Sequence, residues 1–169
     1  MADGEDGRPD GITIQGYTGA TGSFAEYTAY YLEAAPANET TSQWGANGTL
    51  IADVTTGTNA TSITAASIGV GRKDTQIIVN HLGTNETNRA AQRCASKSTG
   101  GKTDWFLPSL GELNEMYKTK GQTGIPTTGW FWSSSQDVSN YAWSQNFASG
   151  SQDSSVKNYN TTVRAIRAF

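Results

Sequence analysis

The sequence predicts an α+β domain in which two to three helices precede an antiparallel sheet, with a short N-terminal helix and a glycine-patterned tail in front. Three observations carry this. Apolar residues recur at helical spacing from Ile77 to Tyr117, then at period two from Trp130 onward. The later runs are joined by short Ser/Gly/Asn turns, which suit antiparallel pairing. Helices first and strands later is the order of an α+β chain.

Length and composition bound the rest. The 169 residues fit one domain with a small appendage. Ser, Thr and Asn make up 50 of them and Gly another 19, while only 16% are charged, against a usual ~25%. Such a chain has short strands, many turns and a small core, a composition common in secreted and cell-surface proteins. No segment is apolar enough to span a bilayer, so no membrane insertion is expected, and no signal peptide is read at the start. Cys94 and His81 are each alone. This excludes an internal disulfide and a cysteine-rich zinc site, and nothing near His81 resembles a nucleophile elbow. No catalytic residue, metal or cofactor is assigned, and the protein is expected not to be an enzyme.

The elements follow in order. Residues 1–23 read as a collagen-like or flexible tail, because Gly4 and Gly7, then Gly16, Gly19 and Gly22, repeat every third residue. Residues 24–36 read as a short helix ended by Pro36, with Phe24, Tyr27, Tyr31 and Ala34 at 3-4-3 spacing. That helix is either a trimer clamp or an ordinary amphipathic helix packed on its own domain. The domain proper is 37–169. Within it, Trp44 and Ile51–Val54 are strand pieces. Five Asn-X-Ser/Thr triplets, starting at Asn38, Asn47, Asn59, Asn85 and Asn160, are of a kind that arises by chance in this composition.

Asp74 is placed to cap a helix running through Ile77, Ile78 and Leu82. A second helix is expected over 85–98, with Ala90, Ala91, Cys94 and Ala95 inward and Arg89, Arg93 and Lys97 stacked on an exposed side. Ser109 and Glu112 form a capping box for a third helix whose buried stripe is Leu110, Leu113, Met116 and Tyr117, with Lys118, Lys120 and Gly121 at its end. Trp130, Trp132 and Ser134, then Trp143, Gln145 and Phe147, alternate as strands, and Val163–Phe169 closes the chain. The tryptophans could stack on sugars, but such residues more often build a core. Arg164 and Arg167 should pair with acids such as Glu112 or Asp104.

Charge is uneven. Residues 1–60 hold eight acids and one base, and residues 61–169 hold eleven bases and seven acids. The basic body hints at a polyanion partner.

Gly71-Arg-Lys-Asp-Thr-Gln-Ile-Ile-Val79, the Ala/Cys helix, Asp104-Trp-Phe-Leu-Pro-Ser109, Glu112-Leu113, Phe131-Trp-Ser-Ser-Ser135, Ala142-Trp143 with Phe147, and Val163-Arg-Ala-Ile-Arg167 occur in an order that resembles the bacterial domain family named for the C-terminal domain of the Legionella collagen-like adhesin Lcl. The resemblance covers roughly residues 65–169. It implies a C-type-lectin-like fold and a secreted or surface adhesin that binds sulfated glycosaminoglycans, in host attachment and biofilm formation. The paired reactive cysteines of the related formylglycine-generating enzymes are missing. So are the Glu-Pro-Asn and Trp-Asn-Asp sets that hold calcium in C-type lectins, so glycan binding would be metal-free.

Under this resemblance the candidate contacts are Arg89, Arg93, Lys97, Lys102, Lys118 and Lys120, with Arg72 and Lys73 as a second cluster. Lys and Arg grip sulfate through charge-assisted hydrogen bonds. Without the resemblance, the same rows read as solvated helix faces. The expected partners are sulfated glycosaminoglycans and, through a homotrimer, other copies of the chain, with no nucleic acid. The alternatives are a trimerisation head for a collagen-like stalk and a receptor-binding domain for a protein ligand.

Overall fold

The computed structural model describes residues 10–20 and 22–169. They form eleven strands and four helices. The chain opens with β1 (Ile12–Ile14), β2 (Tyr17–Gly19), β3 (Gly22–Phe24), β4 (Tyr27–Ala29) and β5 (Leu32–Ala34). β2 pairs with β3 inside the β1–β4 pair, giving a nested antiparallel hairpin. This corrects the helix expected over 24–36. Thr and Tyr suit strands, and the aromatics that suggested a seam are used within the chain. The Arg72 guanidinium lies 4.2 Å from the Phe24 ring centroid and donates a 3.2 Å hydrogen bond to the Tyr27 hydroxyl. The glycine run at 16, 19 and 22 also belongs to this hairpin, not to a tail. Gly22 has φ +132, where a side chain would be strained. The Gly4 and Gly7 run lies outside the described residues. Ile14 and Ala29 are buried with Phe106, Leu113 and Ile166, so the N-terminal strands share a core with residues 37–169.

The main sheet runs β6 (Glu39–Ser42), β10 (Thr161–Val163), β7 (Trp130–Val138), β8 (Tyr141–Asn146), β9 (Gln152–Val156). Its β10–β7 pair is parallel and the others are antiparallel, so the sheet is mixed where an antiparallel one was expected. The last strand, β11 (Ile166–Ala168), leaves this sheet and pairs with β5. Arg167 there donates to Glu33 at 2.8 Å and Asp104 at 3.1 Å. Arg164 instead binds the Asn38 side chain at 2.8 Å and the Gly124 carbonyl, and Glu112 pairs with neither arginine.

Four helices, not two to three, pack on the sheet: α1 (Ala60–Ala66), α2 (Gly71–Leu82), α3 (Ala90–Ala95) and α4 (Leu110–Lys118). The unforeseen α1 starts at Asn59, whose side chain accepts the Ser62 N–H at 3.0 Å. One of the Asn-X-Ser/Thr triplets is therefore an N-cap. Asp74 does not cap α2. The cap position is Val70, and Asp74 sits buried in the first turn, accepting the Thr55 N–H at 3.2 Å.

Two tryptophans lock β6 to β7. Trp132 donates from Nε1 to the Ser42 carbonyl at 2.9 Å, and Trp44 donates to the Ser133 carbonyl at 2.8 Å. Both indoles are buried with Ile78, Leu82, Cys94 and Val163, as is Trp143 against Ile63 and Leu110. Trp130, also expected in the core, is 38% exposed. The serine triplet sits where the β7–β8 register breaks. It bonds sideways to the start of α4: Ser134 N–H donates to the Pro108 carbonyl, and Ser135 Oγ accepts the Leu110 N–H.

Glu112 ties these parts together. It closes the expected capping box with Ser109. Its two oxygens also accept N–H groups from Gly69 at 2.9 Å, Gly71 at 3.3 Å and Ser109 at 2.8 Å. Burial pushes its carboxyl up to about 7, while these donors pull it back toward the ionised form. A second buried charge, unread in the sequence, is Lys157. Its ammonium donates to the Thr49 carbonyl and to Gln136 and lies over Trp44, and burial lowers it to about 8.

Candidate functional site

An open groove of about 670 Å³ runs along α3, lined mainly by Glu39, Asn88, Gln92, Arg93, Lys97 and Thr99. Its walls come from four places. Gly83 at φ +51 ends α2, and the chain turns through Asn88, itself at φ +60. The α3 entry is fixed by Gln92, whose side chain accepts the Arg89 N–H and donates to the carbonyls of Gly83 and Glu86. The Ala90 N–H donates to Gln43 just after β6, and Ala90, Ala91 and Cys94 turn inward. Beyond α3, a two-residue Gly100–Gly101 turn pairs Thr99 with Lys102.

The helix is shorter than the 85–98 expected, so Arg89 is its cap and Lys97 lies past its end. Arg93 and Lys97 nonetheless reach the same groove. Arg93 is held through Nε, which donates to Ser42 Oγ at 2.5 Å and to the Asn88 carbonyl at 3.2 Å. Among the described residues no hydrogen bond is seen from its terminal nitrogens, and the side chain lines the groove. Lys97 pairs with Glu39 at 2.5 Å, both side chains being mostly covered.

The other candidate cations are scattered, not gathered. Arg89 pairs with Glu86 at 2.8 Å. Lys118 pairs with Glu115 at 2.6 Å. Lys120 lies over Tyr117 and donates to the carbonyls of Phe147 and Ala148. Arg72 is stacked on the N-terminal hairpin, and Lys73 donates to Gln15 at 3.3 Å. Lys102 is exposed and bridges to Thr99 but does not itself line the α3 groove. The charge imbalance between the two parts of the chain is thus partly consumed inside the fold, through Glu39–Lys97 and Glu33–Arg167. Ser42, Asn88 and Gln92 went unnoticed in the sequence, because polar residues of their kind are everywhere in it. A second cavity, about 690 Å³ between β1, β5 and α4, is lined largely by Ile12, Tyr30, Leu32, Met116, Ile125 and Ile166 and offers a polyanion little to bind.

The Lcl C-terminal domain model matches residues 36–167. The chain belongs to the Lcl C-terminal domain family. The match takes in the main sheet, all four helices and the α3 groove, and it starts just after the N-terminal strands. The crystal structure of a fimbrial protein from Bacteroides ovatus ATCC 8483 is similar in fold, with TM-score 0.54 and 16% identity, over 82% of this chain. The chain spans about a third (35%) of that fimbrial chain. Comparison with the curated proteins gives no match. Among the described residues no helix is long and apolar enough to cross a membrane, and no group of His, Cys, Asp and Glu could hold a metal ion.

Proposed function

We propose that this domain is the head of a surface adhesin that holds a sulfated glycosaminoglycan in the α3 groove, without metal and without turnover. Membership of the Lcl C-terminal domain family suggests the adhesin-like role at the cell surface, and a fimbrial protein of similar fold is in keeping with it. The observation that carries the glycan reading is the Arg93 fork. Ser42 and Asn88 fix the guanidinium through Nε, so its remaining N–H groups need little ordering to meet a sulfate oxygen pair. Asn88, Thr87, Ser98 and Thr99 around it suit sugar hydroxyls, and Lys97 can add a second positive contact if the anion displaces Glu39.

Chromatography on immobilised heparin tests this. The wild type should be retained at low salt and released as salt rises, since exposed charge pairs are screened. Arg93→Glu should elute at clearly lower salt. A charge-assisted contact contributes about 1.5–3 kcal/mol, so binding should weaken about tenfold or more. Lys118→Glu, on another face, should behave as wild type. Passage of the wild type in the void volume at low salt sinks the reading, and equal retention of Arg93→Glu moves the site elsewhere. The proposal needs only one head. A homotrimer would add avidity, and light scattering at high concentration reads it directly.

A further inference from the structure

Two carboxyls are wholly buried at the base of α2. Asp74 lies in its first turn, and Glu112 reaches across from α4 to the N–H groups of Gly69 and Gly71. They are not equally served. Glu112 accepts three backbone N–H groups. Asp74 is served by Thr55 alone, whose N–H donates to Oδ1 and whose side chain also favours the ionised form, and its Oδ2 is buried without a partner.

We propose that Asp74 is a protonation switch that tightens the join between α2 and the 51–57 loop as the medium turns acidic. A buried carboxylate with one oxygen unserved and no ion pair is costly, and taking up a proton removes that cost. The charged groups facing it are Lys73 on its own helix, which donates outward to Gln15, and Glu112 from α4, whose charge repels a second one. From the loop side Thr55 acts through both its side chain and its N–H, and Asp53 is exposed. Burial first, then Glu112, raises Asp74 to about 7, against the pull of Thr55 and Lys73. Within the pair, the proton belongs on Asp74, because three N–H donors already favour an ionised Glu112.

A folded-state value raised above the unfolded one means that the native state binds the extra proton. The stabilisation is present at low pH and is lost as pH rises toward 7. The window lies above the usual carboxylate range of ~4, so the surface ion pairs stay intact throughout it.

The test is thermal unfolding at pH 5.5 and pH 8, in a His81→Gln background that removes the one exposed histidine. The melting temperature should be higher at pH 5.5 by about 4 °C or more. Asp74→Asn mimics the protonated acid, because its oxygen still accepts the Thr55 N–H. It should lose at least half of that pH dependence and melt at pH 8 no lower than its parent. A flat parent profile, or an Asp74→Asn profile that keeps more than half the slope, overturns the proposal. Should Asp74→Asn not fold, ¹³C NMR of the Asp74 carboxyl in the wild type decides the matter. Titration between pH 6 and 8 supports the switch, and titration near 4 overturns it.

Discussion

Glu112→Ala should lower the stability of the domain by about 4 kcal/mol or more, the largest single effect expected here. The substitution leaves the N–H groups of Gly69, Gly71 and Ser109 buried without acceptors, at about 1–3 kcal/mol each. The Ser109 contact among these is half of the α4 capping box. Native domains hold only about 5–15 kcal/mol in total, so this one substitution would remove a large share of it. Glu112→Gln should be milder, because one oxygen still serves Gly69 and Gly71 while the amide faces the Ser109 donor. Urea unfolding measures both, and the midpoint should move with little change in slope. Glu112→Ala within 1 kcal/mol of wild type would mean that Glu112 does not hold this junction together. A companion change reaches the same junction from the backbone side. Gly69 sits at φ +92, with the Thr13 carbonyl where a Cβ would stand, and a methyl at Gly71 would collide with Glu112.

The local half of this junction was legible. Ser109-x-x-Glu112 announces a capping box, and the box forms. That the same carboxylate also fastens a turn some forty residues upstream was not legible, because a buried acceptor leaves no mark on the distant glycines whose N–H groups it takes. The helix expected over 24–36 failed for a related reason. Spacing of 3-4-3 says which residues share a helix face only if a helix forms. Here the nested hairpin gave Phe24 and Tyr27 a partner in Arg72, and tertiary contact decided. The basic row is split by the fold. Arg93 and Lys97 share a groove, but the acids that neutralise Arg89 and Lys97 come from the 83–89 turn and from β6. Net charge by segment could not reveal that pairing.

Trp132 is the place where fold and groove meet, and it carries the second large effect. Trp132→Ala should cost about 3–5 kcal/mol, as a fully buried aromatic leaves a cavity. Trp132→Phe separates packing from hydrogen bonding. It keeps most of the apolar contact and loses the Nε1 bond to the Ser42 carbonyl, at about 1–3 kcal/mol for a buried acceptor left unserved. Ser42 is also the residue whose hydroxyl holds Arg93. If β6 shifts when the indole bond is lost, the Arg93 fork shifts with it. Trp132→Phe should therefore both lower the melting temperature and elute earlier from heparin, while Trp130→Phe, two residues away, should do neither. Trp130 is 38% exposed on the same strand, and a substitution on such a surface stays within about 0.5 kcal/mol. Unchanged heparin retention in a destabilised but folded Trp132→Phe would mean that the groove does not depend on the tryptophan lock beneath it. Parallel loss in Trp132→Phe and Arg93→Glu would tie the core motif to binding through one serine.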